Sequence, residues 1–187
     1  MKTKIIIAIL SSLLAISLAL NALLIIRILR DYRMMDDPDW YNPEKVLQEG
    51  DIAPDFSAEL LSGAIFTLYE NRGTVVVLDF WATWCGPCVE MMPAIQTLSE
   101  QHESDVIFVG MNVGEDSSWV QDFIDERGFT YPIGLDEESY VHRNLYPTLG
   151  IPYLVIINGD GMITKTFLGG NDSMYESIEK AILEALR

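Results

Sequence analysis

The sequence predicts one α/β domain behind a single N-terminal transmembrane helix, and three observations predict it. Apolar residues run from Ile5 to Ile26. Beyond Gly50, short β-rich runs alternate with helically spaced ones. The only two cysteines, Cys85 and Cys88, stand between such a strand and such a helix. A chain of 187 residues suffices for one domain plus an appendage and is too short for two separate cores. Hydrophobic residues make up 49% and charged ones 21%, without a low-complexity tract, which excludes bulk disorder, a collagen and a multi-span membrane protein. With 12 Lys/Arg against 28 Asp/Glu, the net charge is -16; such a chain repels phosphate backbones, so nucleic acid is excluded as a partner.

The run Ile5–Ile26 is broken only by Ser11, Ser12, Ser17 and Asn21, and as a helix it would span about 33 Å, one bilayer crossing. A cleaved signal peptide competes, but its apolar region is about 7 to 15 residues long and ends at a small-residue site, and this run is longer. Lys2 and Lys4 on one side balance Arg27, Arg30 and Arg33 on the other, so flanking charge does not orient the helix. Residues 1–30 are therefore expected to be a membrane anchor. Residues 31–49, rich in Asp and Pro with little apolar period, are expected to be an acidic linker, with a short helix over Pro43–Gln48 as the alternative. Residues 50–187 form the domain.

Within the domain, Phe56–Leu60 and Ile65–Leu68 around Ser62-Gly63 predict a hairpin. Val75–Trp81 and Val106–Val113 are continuous apolar runs, the pattern of central parallel strands buried on both faces. Val89, Met92, Ile95 and Leu98 predict a helix between them, and Trp119, Val120, Phe123 and Ile124 a second one ending before Gly128. Tyr153–Ile157 and Met162–Leu168 flank Asn158-Gly159-Asp160-Gly161, a strong hairpin signal. Tyr175, Ile178, Ile182, Leu183 and Leu186 predict the apolar stripe of a closing helix.

Cys85-Gly86-Pro87-Cys88 opens the first of these helices. There the free N–H groups and the helix dipole stabilise a thiolate at Cys85, the nucleophile; Cys88, one turn on, can resolve the mixed disulfide. Structural zinc would have only His102 and His142 as further ligands at unsuitable spacing, and a structural staple would close a loop too small to matter. Inert buried thiols are the remaining alternative. Asp79 lies inside a strand that reads as buried on both faces, where desolvation raises a carboxyl's proton affinity toward neutrality and suits it to exchange a proton with Cys88. A wet strand end is the other reading of that position.

The segment Leu78–Cys88 resembles the active-site segment of thioredoxins, and Pro93 matches their helix-kinking proline. Gly50-Asp51-Ile52-Ala53-Pro54-Asp55-Phe56, Gly150-Ile151-Pro152 and Asn158–Gly161 make residues 50–187 similar to the membrane-anchored TlpA/ResA-like branch. The resemblance implies a thioredoxin-like fold with an N-terminal β-hairpin and a central insertion. It implies a cis peptide before Pro152, and a substrate-binding surface of Trp84, Gly86, Pro87, Ile151 and Pro152 that takes an extended strand. Taken alone, Pro152 reads equally as a loop proline. Three positions depart from the branch: Met91 stands where a Glu is usual, Asp79 stands, as in thioredoxins, where many of the branch carry Asn, and Tyr153 replaces the usual Thr and is expected to alter the substrate groove. Peroxiredoxins share the opening segment but place Pro and Thr before their cysteine, which Trp81–Cys85 does not.

These readings lead to an anchored thiol:disulfide oxidoreductase in the cell membrane, its domain outside the cytoplasm. It would reduce protein disulfides with no cofactor beyond the redox-active Cys85–Cys88 pair and no metal. The Gly-Pro dipeptide resembles that of thioredoxin, a reductant near about -270 mV. The resemblance implies disulfide-containing protein substrates, cytochrome c maturation among the candidate processes, and a membrane thiol shuttle as electron donor. A dithiol oxidant and a non-catalytic tethered peptide-binding module are the rival functions.

Overall fold

The computed structural model describes residues 46–170 and 174–187, together with positions 17, 21, 22 and 25. The expected anchor and most of the linker thus lie outside the described residues, although Ser17, Asn21, Ala22 and Ile25 within the apolar run are helical. Among the described residues no helix is long and apolar enough to cross a membrane.

The expected hairpin is present as β1 (Ser57–Glu59) and β2 (Ile65–Thr67), antiparallel with Ala58 opposite Phe66. After a 3-10 turn at Tyr69–Asn71 come β3 (Val75–Trp81), α1 (Gly86–Gln101) and β4 (Val106–Val113). Next are α2 (Ser117–Arg127), β5 (Ile133–Asp136), a π-helical turn at Val141–Leu145, β6 (Tyr153–Ile157), β7 (Ile163–Leu168) and α3 (Met174–Ala185). The main sheet has the order β5-β4-β3-β6-β7, with β3, β4 and β5 parallel and β6 and β7 antiparallel. The two continuous apolar runs are central and parallel, as their composition predicts. The fold is a thioredoxin-like α/β arrangement around a mixed sheet.

Alternation along β3 divides the core in two. Val75, Val77 and Trp81 pack with Met92, Ile95 and Leu98 of α1, Val120 and Ile124 of α2, and Ile178 and Ile182 of α3. Val76, Leu78 and Phe80 face Phe56, Phe66, Val141 and Tyr146, under the hairpin and the π-helical turn. Every residue of β3 is buried, so the strand carries Asp79 through the driest part of the molecule.

Three readings are corrected. Leu183 and Leu186 are exposed: Leu183, five positions past Ile178, has turned off the arc of α3 that buries Met174, Ile178, Ala181 and Ile182, and Leu186 lies beyond the end of that helix at Ala185. Trp119 is exposed as well. The segment between β4 and β6 contains a further strand, β5, that periodicity does not announce. Residues just before Gly50 also contact the domain: Leu47 packs on the hairpin-side core and Glu49 pairs with Lys165 at 2.7 Å. Val46–Gln48 are not helical.

Candidate active site

The chain leaves β3 at Trp81, crosses Ala82–Trp84 and enters α1 with Cys85 as its N-cap and Pro87 in the first turn. Pro fits there because its missing N–H would be unpaired anyway. The backbone N–H of Cys88 donates to Cys85 Sγ at 3.2 Å, and the two cysteines form a disulfide with their Cα atoms 5.2 Å apart. Both are buried, at 4% and 1% exposure, within the cluster that also holds Val77 and Trp81. A thiolate at Cys85 would sit where the helix presents its free N–H groups.

The surface around the pair is open. Trp84 is 71% exposed, and Gly86 and Pro87 are exposed beside it. The Ile151–Pro152 peptide is cis; Pro152 is buried, and Ile151 packs against the cluster containing both cysteines. Trp84, Gly86 and Pro87 thus flank the disulfide along the chain, while Pro152 shares the space at Gly170 with Met91, three residues past Cys88. Tyr153 does not join them: it pairs with Phe80 and stacks its ring on it at 6.0 Å, on the hairpin side of the sheet. The next residue along a strand points to the opposite face, so this replacement alters the second core and leaves the groove alone. Met91 is buried; a Cβ built on Gly170 would lie 2.6 Å from its sulfur and 3.3 Å from Pro152 Cγ. It fills the space under the Pro152 loop with an apolar side chain in place of an acid.

Asp79 is 2% exposed, on the α1 side of β3 between Val77 and Trp81. Burial pushes its carboxyl up from 3.8 to about 7, with no charged group among the described residues contributing, and its Oδ1 has no hydrogen-bond partner. The wet-strand-end reading is thereby excluded.

Sequence reasoning missed a carboxylate that holds the active-site loop. Glu115 accepts from the Thr83 N–H at 2.7 Å and the Thr83 hydroxyl at 2.5 Å, and Asn112 Nδ2 donates to it at 2.7 Å. Trp119 Nε1 donates to Thr83 Oγ1 at 3.1 Å. The available signal was position: Glu115 follows the carboxyl end of a central parallel strand, where sites in α/β sheets assemble. Among the described residues no three His, Cys, Asp or Glu side chains gather as a metal site.

Comparison with known proteins agrees with this geometry. Residues 48–183 match the Redoxin family. The chain is 33% identical over 133 residues to the thioredoxin-like protein YneN of Bacillus subtilis, covering 69% of this chain and 77% of that one. It is 31% identical over 150 residues to the thiol-disulfide oxidoreductase ResA of Geobacillus thermodenitrificans, covering 80% and 84%. Among solved structures, StoA from Bacillus subtilis superposes with a TM-score of 0.60 at 27% identity, covering 70% of this chain and 97% of that one.

Proposed function

The chain belongs to the Redoxin family, in its TlpA/ResA-like thioredoxin-fold branch, and is a thiol-disulfide oxidoreductase; from that premise we propose a membrane-anchored, extracytoplasmic reductase of protein disulfides. The observation that carries the reading is the buried Cys85–Cys88 disulfide at the N-terminus of α1, ringed by exposed Trp84, Gly86 and Pro87. The apolar run Ile5–Ile26 supports the anchor, and the Gly-Pro dipeptide supports the reducing direction.

In the reduced protein the Cys85 thiolate attacks a substrate disulfide, forming a Cys85–substrate bond and expelling the first substrate thiolate. Cys88 then passes its S–H proton to the Asp79 carboxylate and attacks Cys85 Sγ. The Cys85–substrate bond breaks, the second thiolate leaves, and the protein takes the disulfide form. Two electrons have moved from the cysteine pair to the substrate, and no resident cofactor is needed. A membrane thiol shuttle restores the dithiol, and apocytochrome c is one candidate substrate.

Cys88→Ser tests this reading because it leaves attack intact and removes resolution. Isolated from membranes without reductant, it should carry Cys85-linked extracytoplasmic proteins identifiable by mass spectrometry. Species no different from those of Cys85→Ser, Cys88→Ser would exclude protein-disulfide reduction. Recovery of apocytochrome c would select the maturation role. A membrane-impermeant thiol probe should label reduced Cys85 on intact cells; labelling only after lysis would place the domain in the cytoplasm.

A further inference from the structure

An exposed indole stands beside the active-site loop for no reason that the fold supplies. Trp119 is the third residue of α2; its neighbour Val120 is wholly buried in the core, while Trp119 itself is 65% exposed. The helix thus covers the sheet without using this ring. Its Nε1 donates to Thr83 Oγ1 at 3.1 Å, the same hydroxyl that donates to Glu115. The ring is tied by its edge to the residue before Trp84 and two before Cys85, within about 7 Å of chain from the nucleophile, and most of its surface is left to solvent. Trp84 is 71% exposed, so the residues bonded to Thr83 and following it present two large aromatic surfaces next to the attacking cysteine. Large apolar area held at few rotatable bonds is what binding sites concentrate in their anchors.

Charge decides what such rings would take. From Gly73 to Glu126, the stretch that supplies β3, the active-site loop, α1, β4 and nearly all of α2, the sequence holds ten Asp or Glu and no Lys or Arg. The donors that reach Glu115 from Thr83 and Asn112 are all neutral. Arg127, the first cation beyond the stretch, lies over the Phe123 ring at 4.6 Å, and Arg72 lies over Tyr69. Among the described residues, then, the cations that sit on rings leave both indoles uncovered. Of the aromatic faces, indole attracts a guanidinium or ammonium group most strongly, and an acidic surrounding raises the local concentration of cations. We infer that Trp119 is a substrate-binding residue, and that with Trp84 it selects protein disulfides whose attacked cysteine is flanked by Arg or Lys. This rests on the protein-disulfide reductase reading and names the substrate class within it. Trp119 makes and breaks no bond: it holds the flanking cation while Cys85 attacks, so its effect falls on kcat/KM.

The test uses the reduced full-length chain in detergent micelles, freed of excess reductant, and three peptides that share one disulfide and carry Arg, Leu or Glu two residues from the attacked cysteine. Second-order rate constants for thiol release should rank Arg above Leu and Leu above Glu, with Arg ahead of Leu by about threefold to tenfold. Trp119→Ala leaves every charge in place and removes the ring, and should shrink the Arg-to-Leu ratio to within about twofold. Trp119→Phe keeps a ring and drops the bond to Thr83, and should retain most of the ratio. A wild-type chain that treats Arg and Leu alike, or prefers Leu, would overturn the inference, and so would a wild-type ratio in Trp119→Ala, since general acidity alone would then steer the peptide. A ratio as low in Trp119→Phe as in Trp119→Ala would also overturn it, because the indole would then act only as a brace for Thr83. Reduction of none of the peptides by a chain that folds, by its circular dichroism, would overturn the reductase reading itself; reduction of all three at one rate upholds that reading and overturns only the inference.

Discussion

The burial of Asp79 costs stability in a way that pH can expose. Its carboxyl is pushed from 3.8 to about 7 by burial, so between about pH 4 and about pH 7 the folded chain keeps a proton that the unfolded chain releases. Stability therefore falls as pH rises through that window. Asp79→Asn should raise stability at pH 8 by up to about 4 kcal/mol and leave it nearly unchanged at pH 4; urea midpoints at the two pH values check this, and equal gains at both would show that the carboxyl ionises normally. Glu115→Gln should weaken the charge-assisted bonds to Thr83 by about 1.5–3 kcal/mol, seen as faster hydrogen exchange at the Thr83 amide, which donates to that carboxylate. The cysteines and Asp79 were legible in the sequence because each violates its surroundings: a thiol pair at a strand–helix junction, a charge in an apolar run. Glu115 violates nothing locally. It reaches the site only because the turn between β4 and α2 folds back onto Thr83.

The two buried glycines of neighbouring strands separate what sequence can and cannot announce at the level of an element. β3 and β4 are bounded by their apolar runs and were readable to the residue, whereas Ile133-Gly134-Leu135-Asp136 carries a glycine and an acid and resembles a turn. It is a strand because Gly134 lets β5 close on β4, where a Cβ would come within 2.6 Å of Met111 Sδ, and because the Asp136 carboxylate accepts from the Val141 and His142 N–H groups. Gly110→Ala should cost more than Gly134→Ala, about 2–3 against about 1 kcal/mol: the first meets two aromatic rings, the second the flexible end of a methionine. Thermal unfolding of the two variants measures this, and equal losses would show that both pockets yield alike.

Across the whole molecule the two cores titrate in opposite senses. On the hairpin side His142 packs on Phe80 at 5.7 Å with neither ring nitrogen bonded, and burial, with a smaller contribution from Arg143, lowers it from 6.5 to about 4. Its folded form stays neutral while the unfolded form charges, so its contribution to stability is lost as pH falls from about 6.5 to about 4, against the rise from Asp79. His142→Phe should steepen the fall in stability from pH 4 to pH 7, whereas Asp79→Asn should reverse its sign; a wild-type profile in both would mean that neither group governs acid behaviour. Composition and charge excluded whole classes of partner, but no sequence pattern foretold that one buried acid and one buried base would sit on opposite faces of a single strand. Mechanics gives the N-terminal junction a further meaning. The chain enters the domain by a short ladder on the edge strand, Gly50 N–H to the Ile163 carbonyl at 2.8 Å, Ile163 N–H to the Asp51 carbonyl at 2.8 Å and Ala53 N–H to the Gly161 carbonyl at 3.0 Å. Tension on the leading segment therefore loads this ladder against β7 first; once its hydrogen bonds part, the force passes along the chain to Pro54, whose carbonyl accepts from Tyr146 Oη at 2.7 Å, and to the β1–β2 hairpin before it reaches β3. The strand that holds the catalytic loop is thus shielded from a pull by a sacrificial ladder and by the hairpin ahead of it in the chain.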